Sequence, residues 1–182
     1  LDGAVITDRV RATPRGTGYI KCASNYVISA IAKKEAEERG FVECVYLDAV
    51  EHKYFQEGSS CNIFFVLKDG TLVTPELGDT ILPGITRKSV IALAKECGIK
   101  VEERKVSVKE VQKKAVECFV TGTAAGISPM SSLTDLNGKK VVFGDGTEGP
   151  IAKKLQHLLK GRQYGLLEDP NKWDTVVVPG NK

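Results

Sequence analysis

Lys21 stands between RGTGYI and CASNY, a single amine among mostly uncharged residues, set between a glycine-bearing segment and the start of a helix. Withdrawn from water there, an amine is partly neutral near neutral pH and can act as a Schiff-base nucleophile. The plainer alternative is a surface lysine that lays its stem on the protein and leaves its charge in solvent. ILPGITR, Ile81 to Arg87, leads a Pro-Gly turn into a helix whose first turn holds Thr86. Free backbone N–H groups, a hydroxyl and the positive helix end together suit a phosphate, unless Thr86 merely caps its helix. GTAAG, Gly122 to Gly126, follows an apolar run and offers a second anion-binding turn around Thr123. In EGSSCN one carboxylate, Glu57, precedes a strongly apolar stretch, where burial would demand a positive partner; a solvated Glu is the alternative. His52 and His157 lie far apart with no carboxylate or Cys at ligand spacing, so neither a metal site nor a Ser-His-Asp triad is expected.

These groups need elements to aim them. From Asn25 to Arg39 the apolar Val27, Ile28, Ile31, Ala32 and Ala36 recur at helical spacing, which predicts a surface-lying amphipathic helix stopped by Gly40. VECVYLD and NIFFVLK are strand-length runs, and Asp69-Gly70 turns the second into TLVT as a hairpin. Thr86 is predicted to cap a helix that carries Val90, Ile91, Ala94 and Cys97 inward and stops at Gly98, after which KVEERKV alternates like an edge strand. Ser107 with Glu110 makes a capping box for a short helix, and VECFVT is a buried strand. Asn137-Gly138 turns a second hairpin, and Pro150 opens a last helix presenting Ile151, Leu155 and Leu158. Strands outnumber helices and several pair as hairpins, so the class is mixed α/β (α+β) rather than a strictly alternating, doubly wound sheet.

At 42% hydrophobic and 27% charged, the 182 residues read as a soluble globular chain, and with no internal repeat or linker tract as a single domain. No apolar run is long enough to span a bilayer. The surplus of +3, with basic residues interleaved with acids as in KKEAEER, favours neither a nucleic-acid nor a membrane partner. Cys22, Cys44, Cys61, Cys97 and Cys118 sit apart without paired spacing, as in a reduced intracellular protein. LDGAVITDRVR has neither an initiating Met nor a secretory signal, and the chain is expected to be a piece of a longer polypeptide.

Taken in order, GTG..K...NY, EGSSCN, LPGITR and GTAA..SP resemble the fold-type IV pyridoxal-phosphate aminotransferases, most closely the branched-chain amino-acid aminotransferases. The likeness covers nearly the whole chain: VYLDAVEHKYFQEGSSCNIFFV, TPELGDTILPGITRKSV, EGPIAKKL and LLEDPNKWDTVVV read as the larger, second domain of that family. It implies that residues 1–182 form a single cofactor-binding domain, a hairpin-rich, β-barrel-like sheet with packed helices. It also implies that the family's smaller N-terminal domain, with a further phosphate-binding arginine and much of the substrate pocket, is absent from the chain, which alone would then be of doubtful activity.

By this resemblance Lys21 is the lysine that bonds pyridoxal 5′-phosphate and then carries a proton to and from the substrate α-carbon. Glu57 pairs with the pyridine nitrogen and Tyr26 with the phenolic oxygen. Ile85 and Thr86 cradle the phosphate, Thr123 adds a hydroxyl, Gly84 and Gly122 count among the cofactor-binding residues, and Leu82 packs on one ring face. Arg11 aligns with an arginine near the phosphate, Ser60 with a small residue beside the cofactor, and the Thr123 and Ala124 amides with the turn that holds the substrate carboxylate. The implied activity is amino transfer between leucine, isoleucine or valine and 2-oxoglutarate, by a homodimer in the full-length protein, in the cytoplasm or in the matrix of an organelle or plastid. Relatives with the same lysine, glutamate and phosphate turns act on D-amino acids or eliminate pyruvate from aminodeoxychorismate, and a non-catalytic domain of this fold is the third alternative. Two departures stand out: KCASNY lacks the paired glycines common before NY, and Ala125 and Ser128 replace the cysteine pair of a redox switch in mammalian relatives, so no such switch is expected.

Overall fold

A computed structural model describes residues 3–175; Val176, Val177 and Val178 of the closing segment lie outside them. The described chain runs β1 (Gly3–Ile6), α1 (Ser24–Glu38), β2 (Glu43–Leu47), β3 (Phe55–Gly58), β4 (Asn62–Leu67), β5 (Leu72–Thr74) and α2 (Ile85–Glu96). It continues through β6 (Val101–Glu103), α3 (Val108–Lys114), β7 (Ala115–Gly122), β8 (Gly126–Met130), β9 (Ser132–Thr134), β10 (Lys140–Val142) and α4 (Pro150–Gln163). The strands form one sheet with the path β10-β9-β1-β2-β3-β4-β5-β6, and β7 joins β4 to β8.

After Asn62, IFFVL is apolar throughout because β4 is buried on both faces and paired on both edges. Strand β7 runs antiparallel along its whole length, while β3 and β5 share the opposite edge. Ile63, Phe65 and Leu67 point into one core with Phe55, Val120 and Phe143. Phe64 and Val66 point into the other, where Phe64 stacks on Phe119 at 5.2 Å under Val90 and Leu93 of α2 and Leu155 and Leu159 of α4. Each fully buried ring of this kind contributes roughly 1.5–3 kcal/mol. Asn62 and Thr121, paired in register at the ends of β4 and β7, share this second, helix-covered face.

The predicted hairpins at Asp69-Gly70 and Asn137-Gly138 and the helices α2, α3 and α4 are present. Three features differ from expectation. The parallel pairs β1–β2, β1–β9 and β5–β6, and the short strands β1, β3 and β8, carry no strong sequence signal; β3 reads FQEG and β8 GISPM, with Gly and Pro inside. In α1 the buried residues are Asn25, Ser29, Ala32 and Ala36, of which Ala32 and Ala36 pack on Val5, Cys44 and Tyr46, whereas Val27 and Ile31 are exposed. Thr86 does not cap α2: that position is Gly84, in extended conformation, and Thr86 lies inside the first turn.

Helix α4 is capped from another element. Its Gly149 N-cap offers no side chain, and the buried Glu117 of β7 instead accepts the Ile151 and Ala152 amides at 3.1 and 2.9 Å. A Cβ on Gly149 would stand 2.0 Å from Glu117 Cδ. Gly149→Ala is therefore expected to lower the unfolding free energy by about 2 kcal/mol through overpacking and loss of this cap. Urea denaturation followed by circular dichroism measures it, and an unchanged midpoint would mean that Glu117 yields without loss.

Candidate active site

The loop before α1 is built to present Lys21. Asn25, buried at the start of α1, donates through Nδ2 to the Thr17 and Ile20 carbonyls, both at 2.8 Å, and its Oδ1 accepts from Thr17 Oγ1 at 3.2 Å. Gly18 is pressed against Ala12 and Thr80, where a Cβ would lie 2.5 Å from Ala12 Cβ and 2.8 Å from Thr80 Cα. Lys21 Nζ then donates to Tyr26 Oη at 3.2 Å. The desolvation expected of a nucleophilic lysine is not found, because Lys21 is exposed. Its amine is placed by the tyrosine five residues on, in the first turn of α1.

Glu57, on β3, is buried with Arg11, their side chains 3% and 5% exposed, and Arg11 Nη1 lies 2.7 Å from Oε1. Oε1 also accepts the Leu82 amide at 3.1 Å, while Oε2 has Asn62 Nδ2 at 3.5 Å. Burial pushes this carboxyl up to about 7, against the opposing pull of Arg11, the Leu82 N–H and Arg87. A carboxylate so desolvated gains by a further positive partner on its Oε2 side.

Asn62 links Glu57 to the turn that opens α2. Its Nδ2 donates to the Leu82 carbonyl at 2.9 Å, and a Cβ on Gly84 would fall 2.2 Å from its Oδ1. Among the described residues the amides of Ile85, Thr86 and Arg87 have no hydrogen-bond partner, as befits a first helical turn. Arg87 anchors that turn, donating to the Pro75 carbonyl at 2.9 Å and to Glu103 at 3.0 Å. Opposite, Gly122 and Gly126 close the β7–β8 hairpin, and the Thr123, Ala124 and Ala125 amides between them have no backbone partner among the described residues.

A cavity of 320 Å³ gathers these parts, within the ~300–1,000 Å³ usual for small-molecule sites. It is lined by Lys21, Glu57, Ser60, Leu82, Gly84, Ile85, Thr86, Gly122 and Thr123, nine of the residues singled out from sequence. Tyr26 joins through Lys21, and Ala124 lines an adjoining cavity that shares Ser60, Cys61, Gly122 and Thr123 with the first. Arg11 does not line the cavity itself. It pairs with Glu57 and donates to the Gly18 and Thr80 carbonyls at 3.2 and 3.1 Å, a buried carboxylate claiming the nearest guanidinium. Sequence reasoning missed Asn25, Asn62 and Thr121. The first two stand inside the quoted motifs NY and EGSSCN, where a polar amide beside a group expected to be buried was the available signal. Thr121 lines the cavity with a buried hydroxyl that lacks a hydrogen-bond partner among the described residues.

An amine held by a phenol, a buried carboxylate and two turns of free amides around one cavity is an arrangement for an anionic ligand with a basic nitrogen. The family model described as amino-transferase class IV matches residues 2–133, and the chain belongs to this family. Branched-chain-amino-acid aminotransferase 3, chloroplastic, of Arabidopsis thaliana is 48% identical over 163 residues, covering 90% of this chain and 39% of the relative. The Escherichia coli branched-chain amino acid aminotransferase structure matches with a TM-score of 0.84 and 38% identity over 94% of this chain and 54% of that one. The T.th. branched-chain amino acid aminotransferase complexed with N-(5′-phosphopyridoxyl)-L-glutamate matches with a TM-score of 0.80 and 34% identity over 93% of this chain and 53% of that one. The fold is thus that of the fold-type IV aminotransferases, and the chain spans about half the length, or less, of these relatives.

The Glu57 carboxyl has a pH signature. A group raised from 4.5 to about 7 holds its proton more firmly folded than unfolded, so its contribution is full below 4.5 and lost as pH rises through 7. In urea unfolding of the ligand-free protein from pH 5 to 8, wild type should lose on the order of 2 kcal/mol relative to Glu57→Gln. Parallel profiles would mean that Glu57 is ionised throughout.

Proposed function

We propose that the protein carrying this chain is a pyridoxal-phosphate-dependent aminotransferase that moves the amino group of leucine, isoleucine or valine to 2-oxoglutarate. The observation that carries the reading is the meeting of Lys21, Glu57 and the free amides of α2 in one cavity. The residues present fit the cofactor. Oε2 of the buried Glu57 lacks a close partner and suits a protonated ring nitrogen, the α2 amides and the Thr86 hydroxyl suit a phosphate, and Leu82 offers an apolar face. The names of the relatives support the branched-chain substrates, and the phosphopyridoxyl-glutamate complex supports both the cofactor and the co-substrate. Five free, separated cysteines fit a reducing compartment.

When bound, pyridoxal phosphate supplies an aldehyde for amine exchange and a conjugated ring that takes up the electron pair released at the α-carbon. Lys21 Nζ is the group that holds and moves the proton, and its bond to Tyr26 Oη sets the direction of its lone pair. Glu57, backed by Arg11, keeps a positive charge on the ring nitrogen. The Thr123 and Ala124 amides hold the substrate carboxylate without a charged side chain. The rest of the substrate pocket is assigned to polypeptide beyond this chain and to a second copy in a homodimer.

Incubation with pyridoxal phosphate, borohydride reduction and peptide mapping should place the cofactor on a Lys21 peptide, and Lys21→Ala should lose that adduct and all transamination of leucine, isoleucine and valine. Glu57→Gln should keep the adduct and lose about 10²-fold or more in kcat, in line with the loss of one preorganised electrostatic partner. A reduced adduct on any other lysine would overturn the assignment.

A further inference from the structure

We infer that Gln156, on helix α4 and outside the cavity, is a positioning residue that fixes the Gly122–Gly126 turn and so sets the affinity for the substrate carboxylate. The inference rests on the reading above, in which the Thr123 and Ala124 amides hold that carboxylate.

Among the described residues β8 pairs only with β7, so its other edge would leave amides without partners. Gln156 covers that edge, its Oε1 accepting the Ile127 N–H at 3.0 Å. Ile127 is the partner of Thr121 across the hairpin and directly follows Gly126, the last residue of the turn. Gly126 has a φ of +70°, and a Cβ there would stand 3.0 Å from Gln156 Oε1 and 3.2 Å from Lys160 Cε, so the absent side chain lets α4 close onto the turn. The helix is itself fastened at both ends, by Glu117 on the Ile151 and Ala152 amides and by Arg162 Nη2 on Glu96 of α2 at 2.7 Å. A turn that binds an anion through amides alone depends on their direction, and one fixed amide at its base sets that direction.

In the intact protein that carries this chain, Gln156→Leu removes the acceptor at similar bulk and Gln156→Glu restores an oxygen acceptor. Should Gln156→Leu lose cooperative unfolding, Gln156→Met takes its place. The expected result is a KM for leucine and a Ki for the unreactive 4-methylvalerate raised about tenfold, the factor of one net hydrogen bond, with kcat within about twofold and near-complete recovery in Gln156→Glu. Unchanged KM and Ki in a folded Gln156→Leu would overturn the inference, as would an equal fall in kcat that Gln156→Glu does not restore. If the wild type neither binds pyridoxal phosphate nor turns over leucine, the functional reading has failed. Hydrogen exchange of the Ile127 amide then decides the positioning: faster exchange there in Gln156→Leu supports it, and undiminished protection overturns it.

Discussion

The buried ion pair between Arg11 and Glu57 ties together segments that are remote in sequence. Glu57 sits on a short strand, Arg11 on the stretch before α1, and the carboxylate also takes the amide of Leu82, at the turn that opens α2. Withdrawing both charges from water is costly, and their attraction offsets it only where the remaining hydrogen-bonding positions are filled. Arg11 fills its own on the Gly18 and Thr80 carbonyls, so the guanidinium also clamps the lysine-bearing loop to the 75–80 segment. The carboxylate stays incompletely matched, with Oε2 only 3.5 Å from an amide nitrogen and its pKa raised to about 7. The ligand-free chain therefore stores an unmet demand for positive charge at the floor of its cavity, and a cationic ring nitrogen is the partner that would meet it.

Around this pair the loops are held by uncharged amides. Asn25 fastens the Thr17–Ile20 loop, Asn62 the Leu82–Gly84 turn, and Gln156 the base of the Gly122–Gly126 turn. An amide side chain both donates and accepts without adding charge. Such ties hold backbone in place while leaving the field of the cavity to Lys21, Glu57 and the free N–H groups. Two of the ties lie against glycines, Gly84 beside Asn62 and Gly126 beside Gln156, where a side chain would push the amide off its partner.

The parts legible in the sequence were those written in local pattern. NIFFVLKDGTLVT announces β4, its turn and β5; IAKKLQHLL behind a proline announces α4; and the four ordered motifs announce the cavity. What stayed hidden depends on long-range neighbours. The four-residue strands β1 and β3 become strands because neighbours supply their ladders. The stripe of α1 misled because Val27 and Ile31 mark helical spacing as well as any buried pair, while the position facing the loop is needed for the Asn25 amide. The partner of Arg11 was hidden for the same reason: the motif brings it near the site, but only the fold shows its pairing with the buried Glu57.

Precision at the site follows from register. Glu57, Asn62, Thr121 and Ile127 stand opposite one another across β3, β4, β7 and β8, forming a row at one end of the helix-covered face. Along that face, Asn62 is followed on β4 by Phe64 and Val66, and Thr121 is preceded on β7 by Phe119, all sealed beneath α2 and α4. Because side chains alternate faces, a slip of one residue in β4 or β7 would carry a phenylalanine out of one core and turn a polar group, Asn62 or Thr121, away from the cavity. The aromatic packing that stabilises the sheet is therefore the same constraint that keeps the carboxylate, the amide and the base of the anion-binding turn in line.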